Sequence, residues 1–296
     1  MTRYLNAFLC VGIMALAISM PLVAWAQEDD LFSRAHDGDA DAQFTLGVMF
    51  GNGLGVVEDD AEAVIWFRRA AAQGHAEAQF NLGAMYRLGL GVDEDYEEAV
   101  KWTKKAAEQG SSGAQFNLSK MYDEGIVLDR DYAEALKWLR KSAEQGNLGA
   151  QVTLGKLLHE GHVVDKDDVE AARWFRKAAI QGDADAQHIL GTMYATGDGV
   201  DEDDVEALKW TRKSAEQGSA DGQNSLGFMY ASGEGIAHDY VLAYKWWSLA
   251  KARGSEDARK NLDFLMLRVT KEQIAEAQKM AREWQEKHRS SALVHE

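Results

Sequence analysis

One phrase returns six times in this chain at a constant interval of 36 residues. AQFNLGAMYRLGLGV at residues 78–92 is preceded by AQFTLGVMFGNGLGV at residues 42–56 and followed later by AQHILGTMYATGDGV at residues 186–200. The glutamine of the phrase falls at Gln43, Gln79, Gln115, Gln151, Gln187 and Gln223. A fixed period of about 20 to 50 residues indicates a stack of similar units, because each unit must bury its apolar side against its neighbours.

Each repeat is predicted to form two helices joined by an acidic loop. In the second copy, Ala78, Leu82 and Met85 follow helical spacing, which predicts an amphipathic helix A over residues 76–89. Helix B follows the loop, and its tryptophan, Trp102, shares a side with small alanines. This phase favours a core role for the six repeated tryptophans over a ladder that stacks on sugars or bases.

Three further positions of the repeat have a structural explanation. Gly83 lies inside helix A, where a small residue is predicted to let a neighbouring helix approach closely. Gly89 is predicted to stop helix A in the left-handed conformation. Asp95, followed three residues later by Glu98, resembles a capping box at the start of helix B.

These residues together carry a family resemblance. The pattern A-x-A-Q-F-x-L-G-x-M-Y-x-x-G-x-G-V, then an acidic loop and E-A-x-x-W-x-x-K-A-A-E-Q-G, resembles the Sel1-like repeat (SLR) family, a relative of the tetratricopeptide repeat. The resemblance covers residues 40–255. It implies an all-α fold, namely an α/α right-handed superhelical solenoid of six 36-residue helix-turn-helix repeats with terminal capping helices. It also implies an adaptor that binds other proteins, as in bacterial signalling and envelope processes.

Both ends of the repeat array are predicted to carry capping helices. Ala35 and Gly38 match the end of a helix B one period before the first copy, and Leu262 matches helix A one period after the last. Thr270 and Gln273 then read as a capping box that opens a final amphipathic helix. The predicted organisation is a signal peptide at 1–26, a capping helix at 27–39, repeats at 40–75, 76–111, 112–147, 148–183, 184–219 and 220–255, capping helices at 256–289, and a flexible tail at 290–296.

The first 26 residues have the composition of an export signal. Arg3 is followed by an apolar run that ends in Ala24-Trp25-Ala26, which predicts a secretory signal peptide cleaved after Ala26. The alternative is a retained membrane anchor, since the apolar run is about long enough to span a bilayer. Cleavage predicts a bacterial protein in the periplasm or secreted, with no stable membrane anchor. It also removes Cys10, the one cysteine, so the mature chain forms no disulfide.

Charge and motifs argue against several classes of function. The net charge of −16 disfavours nucleic acid and anionic lipid as partners. His159 and His162 lie three residues apart across a predicted helix end, which favours a surface loop over zinc. The acidic loops lack calcium-site spacing and are better explained as helix caps. With no nucleophile elbow and no phosphate loop in the sequence, we expect no catalytic residues, no cofactor and no metal.

Function is therefore predicted to lie in helix A positions that vary between copies. By analogy with tetratricopeptide arrays, the concave groove is lined by the residue after the repeated glutamine, the residue after Leu-Gly and the residue after Met-Tyr, which we call the variable positions. They offer a phenylalanine row beside a small basic patch, a combination that partner interfaces favour. The predicted partner-binding residues are Phe44, Phe80, Arg87, Phe116, Lys120, Lys156, His188 and Phe228. The competing interpretation is that the phenylalanines only pack between adjacent helices.

The leading hypothesis is an exported, non-enzymatic adaptor or scaffold that binds a protein or peptide segment in this groove, in bacterial envelope signalling or assembly. The alternative is an envelope protein that binds peptidoglycan or another cell-wall glycan, or that accompanies a glycan hydrolase, with the same aromatics stacked on sugars. A third hypothesis, a hydrolase of a wall component, has no catalytic motif to support it.

Overall fold

The computed structural model describes residues 24–125 and 127–292, and their side chains over 30–125 and 127–288. Across these residues the chain forms helices and turns, and no strand. The helices are α1 Ala24–His36, α2 Ala40–Asn52, α3 Asp60–Ala72, α4 Ala76–Leu88, α5 Tyr96–Glu108, α6 Ser112–Glu124, α7 Tyr132–Glu144, α8 Leu148–Glu160, α9 Asp168–Ile180, α10 Ala184–Thr196, α11 Asp204–Glu216, α12 Ala220–Ser232, α13 Tyr240–Ala252, α14 Glu256–Leu265 and α15 Lys271–Ala292. From α2 to α13 they alternate as the predicted helices A and B, which confirms the all-α solenoid.

The chain divides into two compact units, Met1–Ala150 and Gln151–Glu296, called unit 1 and unit 2. Within unit 1, α3 packs against α2 and α4, and α5 packs against α4 and α6. Unit 2 repeats the arrangement, with α11 between α10 and α12 and with α13 against α12, α14 and α15. Within a unit, a helix B such as α3, α5 or α11 therefore contacts its own helix A and the helix A that follows.

Helix B begins at the aspartate that the sequence predicted. The Asp95 side chain accepts a hydrogen bond from the Glu98 amide at 3.0 Å, and the other helices B of the repeats begin in the same way. The second hydrogen bond of the predicted capping box, from the Asp95 amide to the Glu98 side chain, does not form. The Asp95 amide instead donates to the Tyr86 carbonyl at 3.0 Å. Glu98 instead accepts from Trp102 Nε1 at 2.9 Å and from Lys101 Nζ at 2.6 Å.

Helix A stops at the predicted glycine. Gly89 has φ +65° and its amide donates to the Met85 carbonyl, and Gly53 and Gly125 end α2 and α6 in the same conformation. Residues with side chains rarely adopt this region, so the glycine is required at the turn into the loop.

The glycine inside helix A leaves room for a side chain of helix B, as predicted. A Cβ on Gly83 would lie 2.7 Å from Thr103 Oγ1 and 3.2 Å from the Thr103 backbone nitrogen. In α10 the same contact is made with Gly191 by Thr211, and in α8 the ring of Phe175 lies over Gly155. The two helices of a repeat can approach this closely because the position carries no side chain.

The core of each unit lies between the helices. A leucine of every helix A, such as Leu82 or Leu226, is fully buried, and burying one such side chain contributes about 1.5–3 kcal/mol. The predicted core role is confirmed for five of the six tryptophans, since Trp66, Trp138, Trp174, Trp210 and Trp246 are less than a tenth exposed, whereas Trp102 is only partly buried.

Each end of the array is covered by a further helix. Gln43 of α2 donates to the Ala35 carbonyl of α1, just as Gln79 donates to the Ala71 carbonyl inside the array. At the other end, Thr270 and Gln273 form the predicted capping box of α15, whose Ala277 is fully buried in the core of unit 2.

Most of the predicted signal peptide lies outside the residues that the structure describes, which begin at Ala24 in α1. Within the described part of the chain, no helix has the length and apolar character needed to cross a membrane.

Candidate functional site

The predicted phenylalanine row of unit 1 is half-buried. Phe44 stacks on His75 with the ring centres 4.6 Å apart, and it also meets the ring of Phe67. Phe80 and Phe116 likewise lean towards the start of the next helix A, and each keeps part of its ring accessible. The rings thus pack between helices, as the competing interpretation predicted, and they remain partly accessible.

A pair of glycines receives two of these rings. A Cβ on Gly113 would lie 3.0 Å from Cζ of Phe80, and a Cβ on Gly149 would lie 2.9 Å from Cε1 of Phe116. Both glycines come 33 residues after their phenylalanine, at a helix A position where other copies carry Asp or Glu. This pairing is a sequence signal that the phenylalanines have a packing role, and it also removes carboxylates from this part of the surface.

One of the two basic residues of unit 1, Lys120, lies beside a phenylalanine ring. The Lys120 ammonium lies 4.5 Å from the centre of the Phe116 ring, a cation–π contact, and its side chain is exposed. Arg87 is half-buried and lines a small cavity of about 180 Å³ together with Tyr96 and Met121. Phe116 and Lys120 are therefore brought together, as predicted for an interface that combines an aromatic anchor with a positive charge.

In unit 2, two of the predicted residues line one cavity. Lys156 of α8 and His188 of α10 border a space of about 340 Å³ whose apolar wall includes Phe175 and Met193. The remaining lining residues are His159, Glu160, Ile189, Thr192 and Asp198. Thr192 occupies a variable position, although it was not among the predicted partner-binding residues. Phe175 was missed because it belongs to helix B, and its ring reaches the helix A surface by lying over Gly155.

His188 is the most enclosed polar group of this cavity. Burial lowers the pKa of its imidazole, and the nearby carboxylates of Asp221 and Asp185 only partly oppose that effect. Its Nδ1 atom is buried, and no described residue forms a hydrogen bond with it. Burial therefore favours the neutral imidazole, and its unpaired nitrogen lies inside the protein rather than on the wall of the cavity.

His159 is held in a polar cluster at the edge of the same cavity. Its Nδ1 lies 2.7 Å from Asp168 Oδ1, and Lys166 Nζ lies 3.1 Å from the second oxygen of that carboxylate. Burial raises the pKa of Asp168, but the hydrogen bonds from His159 and Lys166 outweigh it and the pKa is lowered overall. This cluster fixes the side chain of His159 against the first turn of α9.

Phe228 belongs to a different part of unit 2. It is 50% exposed on α12 and does not line the cavity. Phe264, 36 residues later on α14, is 56% exposed, and the two helices are joined by a hydrogen bond from Asn261 to Asn224 at 3.1 Å. Phe264 was missed because Asp263 replaces the repeated glycine before it, although the leucine of the pattern remains at Leu262.

Comparison with known proteins identifies the family to which this geometry belongs. The model of the Sel1 repeat matches six segments of the chain, residues 40–75, 76–111, 112–147, 149–183, 184–219 and 220–255. The chain belongs to the Sel1 repeat family. Sel1 repeats form a fold that is typically used for protein–protein interaction.

Two solved structures share both the sequence pattern and the fold. A Sel1 repeat protein from Oxalobacter formigenes is 31% identical with a TM-score of 0.65, over 77% of this chain and 99% of that one. A protective antigen of uropathogenic Escherichia coli strains, which displays an SLR fold, is 31% identical with a TM-score of 0.59, over 87% of this chain. The match spans 63% of the length of that antigen. Among curated proteins, none matches the chain.

The helix B side of this Sel1 repeat protein is occupied by its own contacts. Lys177 Nζ lies 3.9 Å from the centre of the Trp174 ring, and the indole Nε1 donates to Glu170 at 3.1 Å. The same combination of lysine, tryptophan and glutamate recurs at Trp102 and Trp210. These tryptophans stabilise the repeat and have their polar edge paired.

A larger cavity, of about 590 Å³, lies beside the acidic loop before α11 in unit 2. Its charged groups serve the fold, because Asp203 caps α11 and Glu206 accepts hydrogen bonds from Lys209 and Trp210. Over the part of the chain that the structure describes, no three histidine, cysteine or acidic side chains are grouped so that they could hold a metal ion. The helix A surface therefore remains the best candidate for recognition.

Proposed function

We propose that this Sel1 repeat protein is an exported, non-enzymatic adaptor that binds a segment of another protein on its helix A surface. The observation that carries the proposal is the contact of the half-buried Phe116 ring with the exposed Lys120 side chain in unit 1. Aromatic residues and arginine are enriched where partners bind, and Arg87 belongs to the same set of variable positions. The use of Sel1 repeats for protein–protein interaction supports the same conclusion.

The charge of the surface indicates which kind of partner segment fits it. The chain carries a net charge of −16, yet the acidic residues found elsewhere at the start of helix A are replaced by Gly113 and Gly149 beside the phenylalanines. Arg87 and Lys120 are added to the same surface. A partner segment with acidic and apolar residues fits this patch better than it fits the rest of the molecule.

The N-terminal sequence supports export. Arg3, the apolar run and the Ala24-Trp25-Ala26 site are typical of a cleavable signal peptide, which places the adaptor in the bacterial periplasm or outside the cell. Envelope signalling or assembly is the proposed setting.

The test is in-cell crosslinking, followed by affinity purification and mass spectrometry. A variant with Arg87→Glu and Lys120→Glu should recover at least tenfold less of the partner than the wild type, because both changes reverse charge on the proposed surface. The matched control carries Lys104→Glu and Arg173→Glu, two exposed residues of helices B, and makes the same change in net charge. The control should recover the partner normally.

Equal recovery by both variants would show that the partner binds elsewhere. Capture of purified peptidoglycan with no protein partner would replace the proposal with the glycan-binding alternative. Turnover of a wall component by the purified chain would favour the hydrolase hypothesis instead.

A further inference from the structure

Four large apolar side chains are exposed on two neighbouring helices of unit 2, and we call them the α14 patch. Phe264 on α14 is 56% exposed, and Met266 and Leu267, in the turn after that helix, are 53% and 84% exposed. Phe228 on α12 is 50% exposed and occupies the same repeat position as Phe264. The hydrogen bond between Asn261 and Asn224 joins the two helices directly.

The final helix leaves this patch uncovered. Both α14 and α15 pack against α13, where Ala277 of α15 is buried in the same cluster as Leu262 and Leu265 of α14. The members of the α14 patch are not in that cluster and stay open to solvent. A group of exposed apolar side chains on adjoining elements is typical of a surface that contacts another molecule.

The size of the patch fits a modest protein interface. At about 150–250 Å² for a large apolar side chain, four such residues with half or more of their surface exposed present roughly 350–600 Å². An interface of standard size covers about 800 Å² on each partner, of which a little over half is apolar. The patch supplies an apolar area of that order without any further rearrangement.

The charge around the patch favours a second copy of this chain. Residues 256–272, which form α14, the turn after it and the start of α15, carry four acidic and four basic side chains, so their net charge is zero. The chain as a whole carries −16, and two copies therefore repel each other over most of their surface. That repulsion is smallest at the patch, whereas the same neutrality gives an acidic segment or an anionic lipid surface no advantage there.

The charges also have an order along α14. Glu256 and Asp257 lie exposed in its first turn, whereas Arg268 and Lys271 follow its last turn. The acidic pair makes only surface ion pairs within α14, which contribute little, and no carboxylate of the described residues pairs with Arg268 or Lys271. When two α14 helices lie antiparallel, the acidic start of each comes beside the basic end of the other.

We propose that the α14 patch is the interface of a symmetric homodimer. Two copies meet about a twofold axis near Phe264, with their α14 helices antiparallel and with Phe228 and Leu267 beside them. Such an interface uses the same surface of both copies, so each apolar and charged contact occurs twice. The inference goes beyond the proposed function and does not depend on it, because the proposed partner surface lies in unit 1.

The first test is the mass of the purified protein in solution, measured by sedimentation velocity. Over about 1–100 µM, where the weaker interfaces of this size dissociate, the wild type should change from monomer to dimer and form nothing larger, because a twofold contact closes. Leu267→Asp should weaken the dimer at least tenfold, since it places a carboxylate in an apolar contact. Phe264→Ala should have a similar effect, since it removes the central ring.

The matched control for these variants is Val205→Asp. Val205 lies on α11, outside the patch, and is 71% exposed. This variant should dimerise like the wild type, and the helical circular dichroism of all three variants should be unchanged because the substituted side chains are exposed.

A charge exchange tests the antiparallel arrangement itself. A variant with Glu256→Lys and Asp257→Lys, and another with Arg268→Glu and Lys271→Glu, should each dimerise at least tenfold more weakly, because like charges then meet at both ends of the contact. An equal mixture of the two should restore a dimer as strong as that of the wild type, since opposite charges meet again. Lys104→Glu with Arg173→Glu, which makes the same change in net charge outside the patch, should stay dimeric.

Any of three results would overturn the inference: a wild type that stays monomeric over the whole range, a dimer that Leu267→Asp and Val205→Asp affect equally, or a mixture of the two charge variants that does not dimerise. Binding of the wild type to phosphatidylglycerol vesicles, lost in Leu267→Asp but not in Val205→Asp, would assign the patch to a lipid surface instead. The proposed function fails separately, because recovery of a protein partner depends on Arg87 and Lys120, which every variant in these tests retains.

Discussion

A hydrogen bond between two glutamine side chains recurs from repeat to repeat and helps to hold each unit together. In both units the helix A glutamine accepts a hydrogen bond at Oε1 from a second glutamine 30 residues later, as Gln187 does from Gln217 at 2.7 Å. The sixth copy breaks the pattern, since Arg253 stands where that second glutamine is expected. Gln223 is fully buried, and its Oε1 has no partner among the described residues.

Arg253→Gln should therefore stabilise the protein. The new amide can donate to Gln223 Oε1, and removing one buried unpaired acceptor is worth about 1 kcal/mol in the free energy of unfolding. Urea denaturation of wild type and variant measures the difference. The matched control is Gln217→Arg, which leaves Gln187 Oε1 unpaired and should cost about 1–2 kcal/mol. A control as stable as the wild type would show that the glutamine pairs contribute nothing measurable.

His188 should make the stability of unit 2 depend on pH. Burial lowers its pKa, against the opposing effect of Asp185 and Asp221, so the unfolded chain binds a proton more readily than the folded chain. The stabilisation that results is complete above the ordinary histidine pKa of about 6.5 and is lost as the pH falls through the lowered value.

His188→Asn tests this dependence, because Asn224 occupies the same position in the next repeat. Thermal and urea unfolding between pH 7.5 and pH 5, in steps of roughly half a unit across the ordinary histidine pKa, should show that the wild type loses more stability than the variant as the pH falls. Parallel pH profiles for the two proteins would mean that His188 is not the group responsible.

The contact between the two helices of a repeat depends on a glycine with no room for a side chain. Alanine is normally better than glycine inside a helix by up to about 1 kcal/mol. At Gly83 the added methyl group would meet the backbone of Thr103 at 3.2 Å and its hydroxyl at 2.7 Å, so the helices must separate. Gly83→Ala should therefore lower the free energy of unfolding by about 1–3 kcal/mol, the usual cost of overpacking.

Gly51 provides the matched control within α2. The nearest atom to a Cβ there is the Cβ of Ala63 at 3.5 Å, an ordinary contact. Gly51→Ala should leave the protein as stable or make it more stable by up to about 1 kcal/mol. The explanation by close helix contact fails if both variants change the urea midpoint in the same direction.

The helices and their ends could be predicted because every repeat obeys the same local rules. Asp95 begins α5 and Gly89 ends α4 for reasons that a window of a few residues contains, and six copies show the same signals. The hydrogen bonds of Glu98 could not be predicted from such a short window. They depend on the Tyr86 carbonyl, nine residues before Asp95, which accepts the hydrogen bond of the Asp95 amide and leaves the glutamate to Trp102.

The candidate site was only partly predictable from the sequence. The variable positions identified Lys156 and His188, but the cavity that they line is also bordered by Phe175, which belongs to helix B and was not among the predicted residues. The half-burial of Phe80 follows from Gly113, a residue of the next repeat. Contacts between positions about 20 or 33 residues apart are set by how helices pack, which periodicity alone does not describe.

Across the whole chain, the positions that recur in every repeat and the positions that vary have different roles. The repeated leucines, glutamines and glycines build interfaces that are the same in both units. The variable positions change from Phe44 and Phe80 in unit 1 to His188 and Phe228 in unit 2, and they supply the accessible chemistry. Within each unit, each repeat therefore presents different side chains on the same framework.

The final helix, α15, is the cover of unit 2, and the integrity of that unit should depend on it. Ala277 is fully buried in a core cluster with Trp247, Leu262 and Leu265. Ala277→Asp places a carboxylate in this apolar contact without a partner, which costs several kcal/mol and should detach α15. Hydrogen exchange measured by mass spectrometry should then show a loss of protection in α13 and α14, whereas α2 to α5 stay protected because each repeat contacts only its neighbours. The control, Ala275→Asp, lies on the exposed side of the same helix and should exchange like the wild type. Unchanged protection of α13 in the Ala277→Asp variant would show that the sixth repeat does not need a capping helix.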